Sequence, residues 1–173
     1  ATTRSFEYTY ADLENIKERT STFAASCARK LREQKSSCHV ITVFLRSNRF
    51  NKTQTYEKMN RTVILSYPTD SSLVICNAAI EAVKSIYKKG VKYKKAGVII
   101  SGLVPNDNYQ LNLFSHENPK HKPLMSAIDS LNKKYKTDKI KLGNQDLKRT
   151  WKMRQERLSK KFTTNINDIL IVK

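Results

Sequence analysis

Carboxylate, imidazole and thiol side chains are the groups from which a catalytic site could be built, and they are scattered in this chain. Two-metal phosphoryl transfer needs paired carboxylates at strand ends, yet Glu7 is the only acid within a predicted strand. Cys38 and His39 are adjacent on a predicted strand, so they point to opposite faces and cannot hold one metal ion together. The sequence contains neither a GxxxxGKS/T phosphate loop nor a GxSxG nucleophile elbow. It therefore predicts no catalytic residue, metal site or cofactor.

Basic side chains are the second candidate group, and their number favours a polyanionic partner. The chain carries 33 Lys and Arg against 15 Asp and Glu, a net charge of +18. An excess of this size is the usual footprint of nucleic-acid binding. Most single charges are simply solvated, but that does not explain the whole excess. The candidates on the predicted strands and their ends are Arg4, Arg46, Arg49, Arg61, Lys92, Lys94 and Lys95. Gly97 is a further candidate, because a glycine is expected to leave room for a phosphate to approach backbone N–H groups.

A short apolar motif, Gln110-Leu111-Asn112-Leu113-Phe114, lies in a segment rich in turn formers. Residues 105–119 contain two acidic and no basic side chains, a composition typical of a linker. Two leucines and a ring between hydrophilic flanks are typical of a linear motif that inserts into a pocket of another protein. The residues alone leave a second interpretation equally open, in which Leu113 and Phe114 pack back onto their own domain.

The elements that must position these side chains follow from the hydrophobic periodicity of residues 1–104. Alternation predicts strands at 5–10, 38–45, 60–67 and 93–103, and spacings of three and four predict helices at 12–34 and 71–86. The order β-α-β-β-α-β is ferredoxin-like, an α+β fold with one four-stranded antiparallel sheet and both helices on one face. On the last strand, Ala96, Val98 and Ile100 are expected to face the helices, which leaves Lys95, Gly97 and Ile99 on the open face.

Charge divides the chain into a domain at 1–104, the linker at 105–119 and a second basic segment at 120–173. The last segment predicts a helix at 124–135 and a very basic helix at 145–158, and with 54 residues it is expected to fold by docking on something else. No apolar stretch approaches the ~18 residues of a membrane span. Three cysteines without tight spacing indicate reduced thiols and a cytoplasmic setting.

The apolar motif and its position resemble those of a known family. Residues 110–114 are similar to the pentapeptide with which bacterial DNA polymerases bind the sliding clamp. Their place directly after a basic βαββαβ domain resembles Y-family translesion DNA polymerases of the UmuC type, whose little-finger domain is similar to this chain at residues 4–6, 28–32 and 93–98. The family's C-terminal extension is similar to residues 124–173. The residues that carry this similarity are Leu124-Met125, Asp129, Leu131-Asn132, Trp151-Lys152-Met153, Leu158-Ser159, Phe162-Thr163-Thr164 and Leu170 with Val172-Lys173.

The resemblance implies a non-catalytic part of an error-prone polymerase that serves SOS mutagenesis and damage bypass. The little finger would lie on primer-template DNA, with its sheet in the major groove, and contact phosphates without sequence preference. Gln110–Phe114 would tether the enzyme to the sliding clamp. The palm, with its catalytic carboxylates and Mg²⁺, is absent from this sequence, so polymerisation would belong to a parent chain. The extension is expected to contact a UmuD′ dimer or the RecA filament.

Two other functional classes stay open when the residues are considered without the resemblance. The first is a free-standing basic adaptor protein that binds nucleic acid, for which a preference for RNA over duplex DNA would be the distinguishing result. The second is a small nuclease, suggested by charge alone, which would nick DNA when Mg²⁺ is added.

Overall fold

The computed structural model describes residues 1–50, 55–106, 118–135, 138–147 and 159–169 of the chain. The predicted α+β class and element order are confirmed, and each strand extends beyond its predicted bounds. The elements in chain order are β1 (Thr2–Tyr10), α1 (Leu13–Glu33), β2 (Ser36–Ser47), β3 (Lys58–Thr69), α2 (Ser72–Ile86), β4 (Tyr93–Pro105), α3 (His121–Lys134) and a 3₁₀ turn at Ile166–Asp168.

The four strands form one antiparallel sheet in the order β1-β4-β2-β3. Helices α1 and α2 cover one face, and the core between them and the sheet includes Phe23, Leu31, Val43 and Val98, all essentially inaccessible to solvent. The prediction for β4 is confirmed, because Ala96 and Val98 are buried on the helix face whereas Ile99 is exposed on the other. We call that other side of the sheet the open face.

Local side-chain chemistry explains where α1 begins and ends. The Asp12 carboxylate accepts a hydrogen bond from the backbone N–H of Asn15 at 3.0 Å, the usual role of an N-cap residue. This bond holds the pKa of Asp12 below its ordinary value. After the last turn, Lys35 adopts a left-handed backbone with φ of 54°, and the chain turns into β2.

Residues 118–135 and 138–147 pack against the helix side of the domain, which shows where this part of the extension docks. Arg32 of α1 binds the Asp129 carboxylate of α3 through Nε and Nη2, at 2.6 and 2.9 Å. Its Nη1 donates to the Asp70 carbonyl at 2.7 Å and to Ser72 Oγ at 2.9 Å. One guanidinium therefore joins α1, the start of α2 and α3. Further links join Ser21 to Asn144, Thr22 to Asp146, and Arg29 to Asp138.

The extension differs from its prediction at two points. Helix α3 begins at His121 rather than at Leu124. The predicted basic helix at 145–158 is wrong for its first three residues, which are not helical, and its remainder lies outside the described residues. The physical reason is that the local polar groups have other partners: the Gln145 side chain accepts from the Leu142 N–H at 2.7 Å, and the Asp146 N–H donates to Thr22 Oγ1 at 3.2 Å. Within the described ranges, no helix is both long and apolar enough to cross a membrane.

Candidate nucleic-acid interface

Three cationic side chains form one row across the open face. Strand register pairs Arg46 of β2 with Lys58 of β3 on one side and with Lys95 of β4 on the other. Neighbouring strands lie about 4.8 Å apart, so the row spans roughly 10 Å from Lys58 to Lys95. Like charges placed directly opposite each other destabilise a sheet. A bound polyanion would relieve that repulsion, and we call these three residues the basic row.

Arg46, at the centre of the basic row, packs against an aromatic ring and has no ion pair with a carboxylate in the described part of the chain. Its guanidinium carbon lies 5.0 Å from the centroid of the Phe44 ring, on the same face of the same strand. Its Nε is buried and has no hydrogen-bond partner among the residues that the structure describes. A buried donor without a partner is costly. Because this atom has no accessible surface, a ligand on the open face does not reach it, and Arg46 offers an anion its charge rather than this N–H.

Gly97 lies next to the basic row, but the reason predicted for it is wrong. A Cβ at this position would lie 2.5 Å from Phe44 Cζ and 2.6 Å from Thr3 Cγ2, the cross-strand neighbours on either side. The space above the Gly97 backbone is therefore filled by a phenyl ring and a methyl group, and a phosphate has no room there. Glycine is needed at this position because it lets the Phe44 ring lie flat across β4.

Two of the predicted cations lie on the other side of the sheet. Arg4 pairs in register with Ala96, and Arg61 pairs with Val43, and both partners face the helices. Cross-strand partners share a face, so Arg4 and Arg61 project from the edge strands β1 and β3 toward the helix side. The structure does not bring them together with the basic row, and their contact with DNA stays a prediction.

The remaining predicted cations lie at the same end of the sheet as the basic row. Arg49 follows β2 and Lys92 precedes β4, and both are exposed. Lys94 is the extra residue of a β-bulge, because Arg46 pairs with Lys95 whereas Ser47 pairs with Tyr93. Its Nζ donates to the Glu7 carbonyl at 2.8 Å and thereby links β4 to β1. Lys94 therefore supports the sheet edge beside the basic row.

Lys58 is the functional candidate that the sequence prediction missed. The predicted strand began at Asn60, whereas β3 begins at Lys58. Had the alternation of Thr62 and Asn60 been continued two residues upstream, it would have placed Lys58 on the open face.

The open face becomes more apolar with distance from the basic row. Val40 of β2 lies two rows beyond Phe44, as Ser101 of β4 lies two rows beyond Gly97. The cross-strand neighbours of Val40 are Ser101 and Ile64, and Ile64 is 72% exposed. In the intervening row, Thr42 and Thr62 share a hydrogen bond of 3.0 Å. The face thus offers cations at one end and β-branched side chains along the rest. Such a surface can hold a phosphate backbone at one end while its remainder lies flat in a groove.

Groups suited to catalysis do not gather in the described part of the chain. It contains no set of three or more His, Cys, Asp or Glu that could hold a metal ion. All three cysteines are buried, and burial raises the pKa of Cys38 to about 12 and that of Cys76 to about 11. Thiols with such values are protonated at neutral pH and are poor nucleophiles.

The predicted motif at Gln110–Phe114 lies outside the described residues, but both of its flanks are described. Asn106 accepts from Ser37 Oγ at 2.7 Å and donates through Nδ2 to Asp70 Oδ2 at 3.0 Å. On the far side, His121 Nδ1 lies 3.1 Å from Ser71 Oγ. Both flanks of residues 107–117 are therefore fixed next to adjacent residues at the start of α2.

Comparison with known proteins places this domain in a family. Residues 1–113 match the family model described as the impB/mucB/samB family C-terminal domain. The chain belongs to this family. Residues 122–172 match a second model, described as a domain of unknown function (DUF4113). Together the two matches cover most of the chain, and they confirm the resemblance that its sequence suggested.

Curated relatives match along nearly the whole chain. Protein UmuC of Salmonella typhimurium is 33% identical over 172 residues, which is 98% of this chain and 41% of the relative. Protein SamB of Salmonella typhimurium is 31% identical over 168 residues, 96% of this chain and 39% of the relative. Protein MucB of Escherichia coli is 30% identical over 170 residues, 97% of this chain and 40% of the relative. The chain thus spans about two fifths of the length of these relatives.

Two solved structures match part of the chain. One is an insertion ternary complex of Dbh DNA polymerase, with a TM-score of 0.47 and 11% identity over 61% of this chain and 28% of the other. The second is a complex of a beta-clamp processivity factor and the little finger domain of PolIV, with a TM-score of 0.45 and 13% identity over 65% of this chain and 95% of the other.

Proposed function

We propose that residues 1–106 are the DNA-gripping domain of a Y-family translesion polymerase, and that the grip is made by the open face. The basic row of Lys58, Arg46 and Lys95 is the observation that carries this proposal. Three cations directly opposite one another on an uncovered sheet face suit a phosphate backbone, which relieves their mutual repulsion. Lysine and arginine so placed hold phosphates without reading base edges, so the grip is independent of sequence.

In this proposal the chain itself is not catalytic. Its described acids form no metal-binding cluster, and the nucleotidyltransferase chemistry with its Mg²⁺ belongs to the parent polymerase. The biological role is damage bypass and SOS mutagenesis in the bacterial cytoplasm. A sequence-independent grip suits that role, since a polymerase that accepts damaged templates must hold DNA by contacts that the lesion does not change.

A double substitution on the open face tests the grip. Lys58→Gln with Lys95→Gln removes two charges from the basic row, and Arg4→Gln with Arg61→Gln removes two charges from the helix side. Loss of two phosphate contacts is expected to lower the salt slope of duplex binding by about 2, since each contact contributes roughly 0.9. The readout is fluorescence anisotropy of a labelled duplex over a salt series. A salt slope that the Lys58→Gln and Lys95→Gln pair leaves unchanged would refute contact at the open face.

We also propose that Gln110–Phe114 binds the sliding clamp. The anchors at Asp70 and Ser71 support this function, because they fix the motif's flanks at the end of the sheet remote from the basic row. Ser37, next to Asn106, is nine residues along β2 from Arg46, a distance of about 30 Å at 3.3 Å per residue. Clamp and DNA could thus be held at the same time, and tethering would raise the local concentration of the polymerase at the primer end.

A clamp titration tests this second element. The full chain is compared with a variant carrying Gln110→Ala, Leu113→Ala and Phe114→Ala, while duplex binding serves as the control for folding. Clamp affinity is expected to vanish in the variant and duplex affinity to stay unchanged. Clamp binding that survives the triple substitution would remove the motif from the proposal.

The extension, in our proposal, contacts the UmuD′ dimer or the RecA filament through its outer side. Its inner side is occupied, since Met125 is 1% exposed and Asp129 is bound to Arg32. An exposed apolar stripe of Leu124, Leu131 and Tyr135 is the part of α3 that suits a protein partner. Substitution of Leu124 and Leu131 by Ser should abolish binding to UmuD′ or RecA without changing duplex affinity. Unchanged binding to both proteins would contradict this role.

A further inference from the structure

The charges of residues 118–135 and 138–147 are sorted between the two sides of the extension. Its three acids point toward the domain: Asp129 binds Arg32, Asp138 binds Arg29 at 2.9 Å, and Asp146 is 4% exposed. Five lysines are exposed, and none of them forms an ion pair with a residue that the structure describes. We call these five the lysine surface: Lys120, Lys122, Lys133, Lys134 and Lys139.

Helix stability does not explain this arrangement. Lys133 and Lys134 lie in the last turn of α3, where the helix dipole favours cations. Lys120 and Lys122 lie at the opposite end, where the dipole disfavours them, and the first turn contains no acid to compensate. The N-terminal pair therefore costs the folded chain some stability, which a bound anion would return.

The lysine surface and the basic row lie on opposite sides of the molecule. Helix α3 contacts α1 and the start of α2, and both helices cover the sheet face opposite to the open face. Lys122 and Lys134 are twelve residues apart on α3, about 18 Å at 1.5 Å per residue. That length corresponds to about five base-pair steps of a duplex at 3.4 Å each. One nucleic acid on the open face therefore leaves the lysine surface free for another.

We propose that the lysine surface is a second binding site for a nucleic-acid backbone, which lets one chain hold two nucleic-acid segments on opposite sides. Lysine ammonium groups bind phosphates as point charges and read no base. At 100° per residue, Lys122 and Lys133 lie about 160–180° from Leu124 of the apolar stripe. Lys134 borders the stripe, with its Nζ 5.9 Å from the centroid of the Tyr135 ring. Binding of one backbone at the lysine surface does not depend on the grip proposed for the open face, whereas the simultaneous binding of two segments rests on it.

The test removes three charges from each of two places. Lys122→Gln, Lys133→Gln and Lys134→Gln alter the lysine surface. Lys30→Gln, Lys84→Gln and Lys89→Gln remove the same charge from α1, from α2 and from the residues after α2. All six side chains are exposed, so melting temperatures should be unchanged in both variants. Two duplexes, one with a donor and one with an acceptor fluorophore, are mixed with the full chain, and energy transfer reports simultaneous binding.

Energy transfer is expected with the unsubstituted chain and the control, and not with the lysine-surface variant, which should still bind one duplex. The salt slope of total binding should fall by about 2 to 3 in that variant, at roughly 0.9 per phosphate. Energy transfer equal to that of the control would overturn the proposal. Poly-glutamate that binds the lysine surface more tightly than a duplex or a single strand would also overturn it, in favour of an acidic protein. The Lys58→Gln and Lys95→Gln pair tests the open face separately.

Discussion

Replacement of Gly97 by Ala tests the packing that shapes the open face. The added methyl carbon would lie 2.5 Å from Phe44 Cζ and 2.6 Å from Thr3 Cγ2, well inside van der Waals contact. Because the Phe44 side chain is only 9% exposed, its ring must leave a packed position to make room. Overpacking of this kind costs about 2–3 kcal/mol. Replacing glycine by alanine in a strand by itself raises the free energy of unfolding by about 0.5–1 kcal/mol. The net free energy of unfolding should therefore fall by roughly 1–2 kcal/mol.

Thermal and urea denaturation measure this change. For a chain of this size, a loss of 1–2 kcal/mol corresponds to a Tm lower by about 3–6 °C. Gly143→Ala is the matched control, since no atom of the described residues lies within 4 Å of a Cβ there and its φ is not left-handed. That control should be neutral, or more stable by up to about 1 kcal/mol.

A double substitution separates ring displacement from general strain. Phe44→Leu shortens the side chain that the new methyl group meets, so Gly97→Ala should cost less in that background, with a coupling energy above about 0.5 kcal/mol. If Gly97→Ala is as stable as Gly143→Ala, the close contact does not constrain the sheet, and the argument from Phe44 is refuted.

Three further outcomes follow from the extension and the core. Asp129→Asn should lower the free energy of unfolding by about 1–2 kcal/mol. Asp138→Asn, which breaks an exposed ion pair, should lower it by less than about 0.5 kcal/mol. Equal losses of the two variants in urea denaturation would contradict docking through Arg32. Burial and the neighbouring Asp146 raise the pKa of Glu18 above its ordinary value of 4.5. The free energy of unfolding should therefore decrease as pH rises from 4.5 through the pKa of the folded state. Glu18→Gln should stabilise the chain at pH 7 but not below pH 4.5. The three buried thiols should react with a thiol reagent only on unfolding; rapid labelling of the native chain would show that the core opens.

Much of the fold could be predicted because its signals are local. The alternation at 60–67 and the spacing of Ile16, Phe23 and Leu31 depend on neighbours within a few residues, and these elements appear where they were expected. The face of β4 also followed from alternation. Alternation does not mark the ends of a strand, so the predicted strand begins at Asn60 and omits Lys58.

The parts that could not be predicted depend on long-range register. Whether Arg61 shares a face with Arg46 is decided by the partner of each residue across β2 and β3, which composition cannot supply. The role of Gly97 depends on a ring 53 positions away in the sequence, on another strand. Arg32 and Asp129 are 97 positions apart, so the docking of the extension had no signal in its own residues.

A pair of fluorescent labels tests the claim that DNA is held on the open face. An environment-sensitive dye is attached at Thr62→Cys, on the open face, or at Lys84→Cys, an exposed position on α2. The native cysteines are buried and do not compete for the dye. Duplex added up to one equivalent is expected to change the emission at position 62 and leave that at position 84 unchanged. A change at position 84 without one at position 62 would contradict the account.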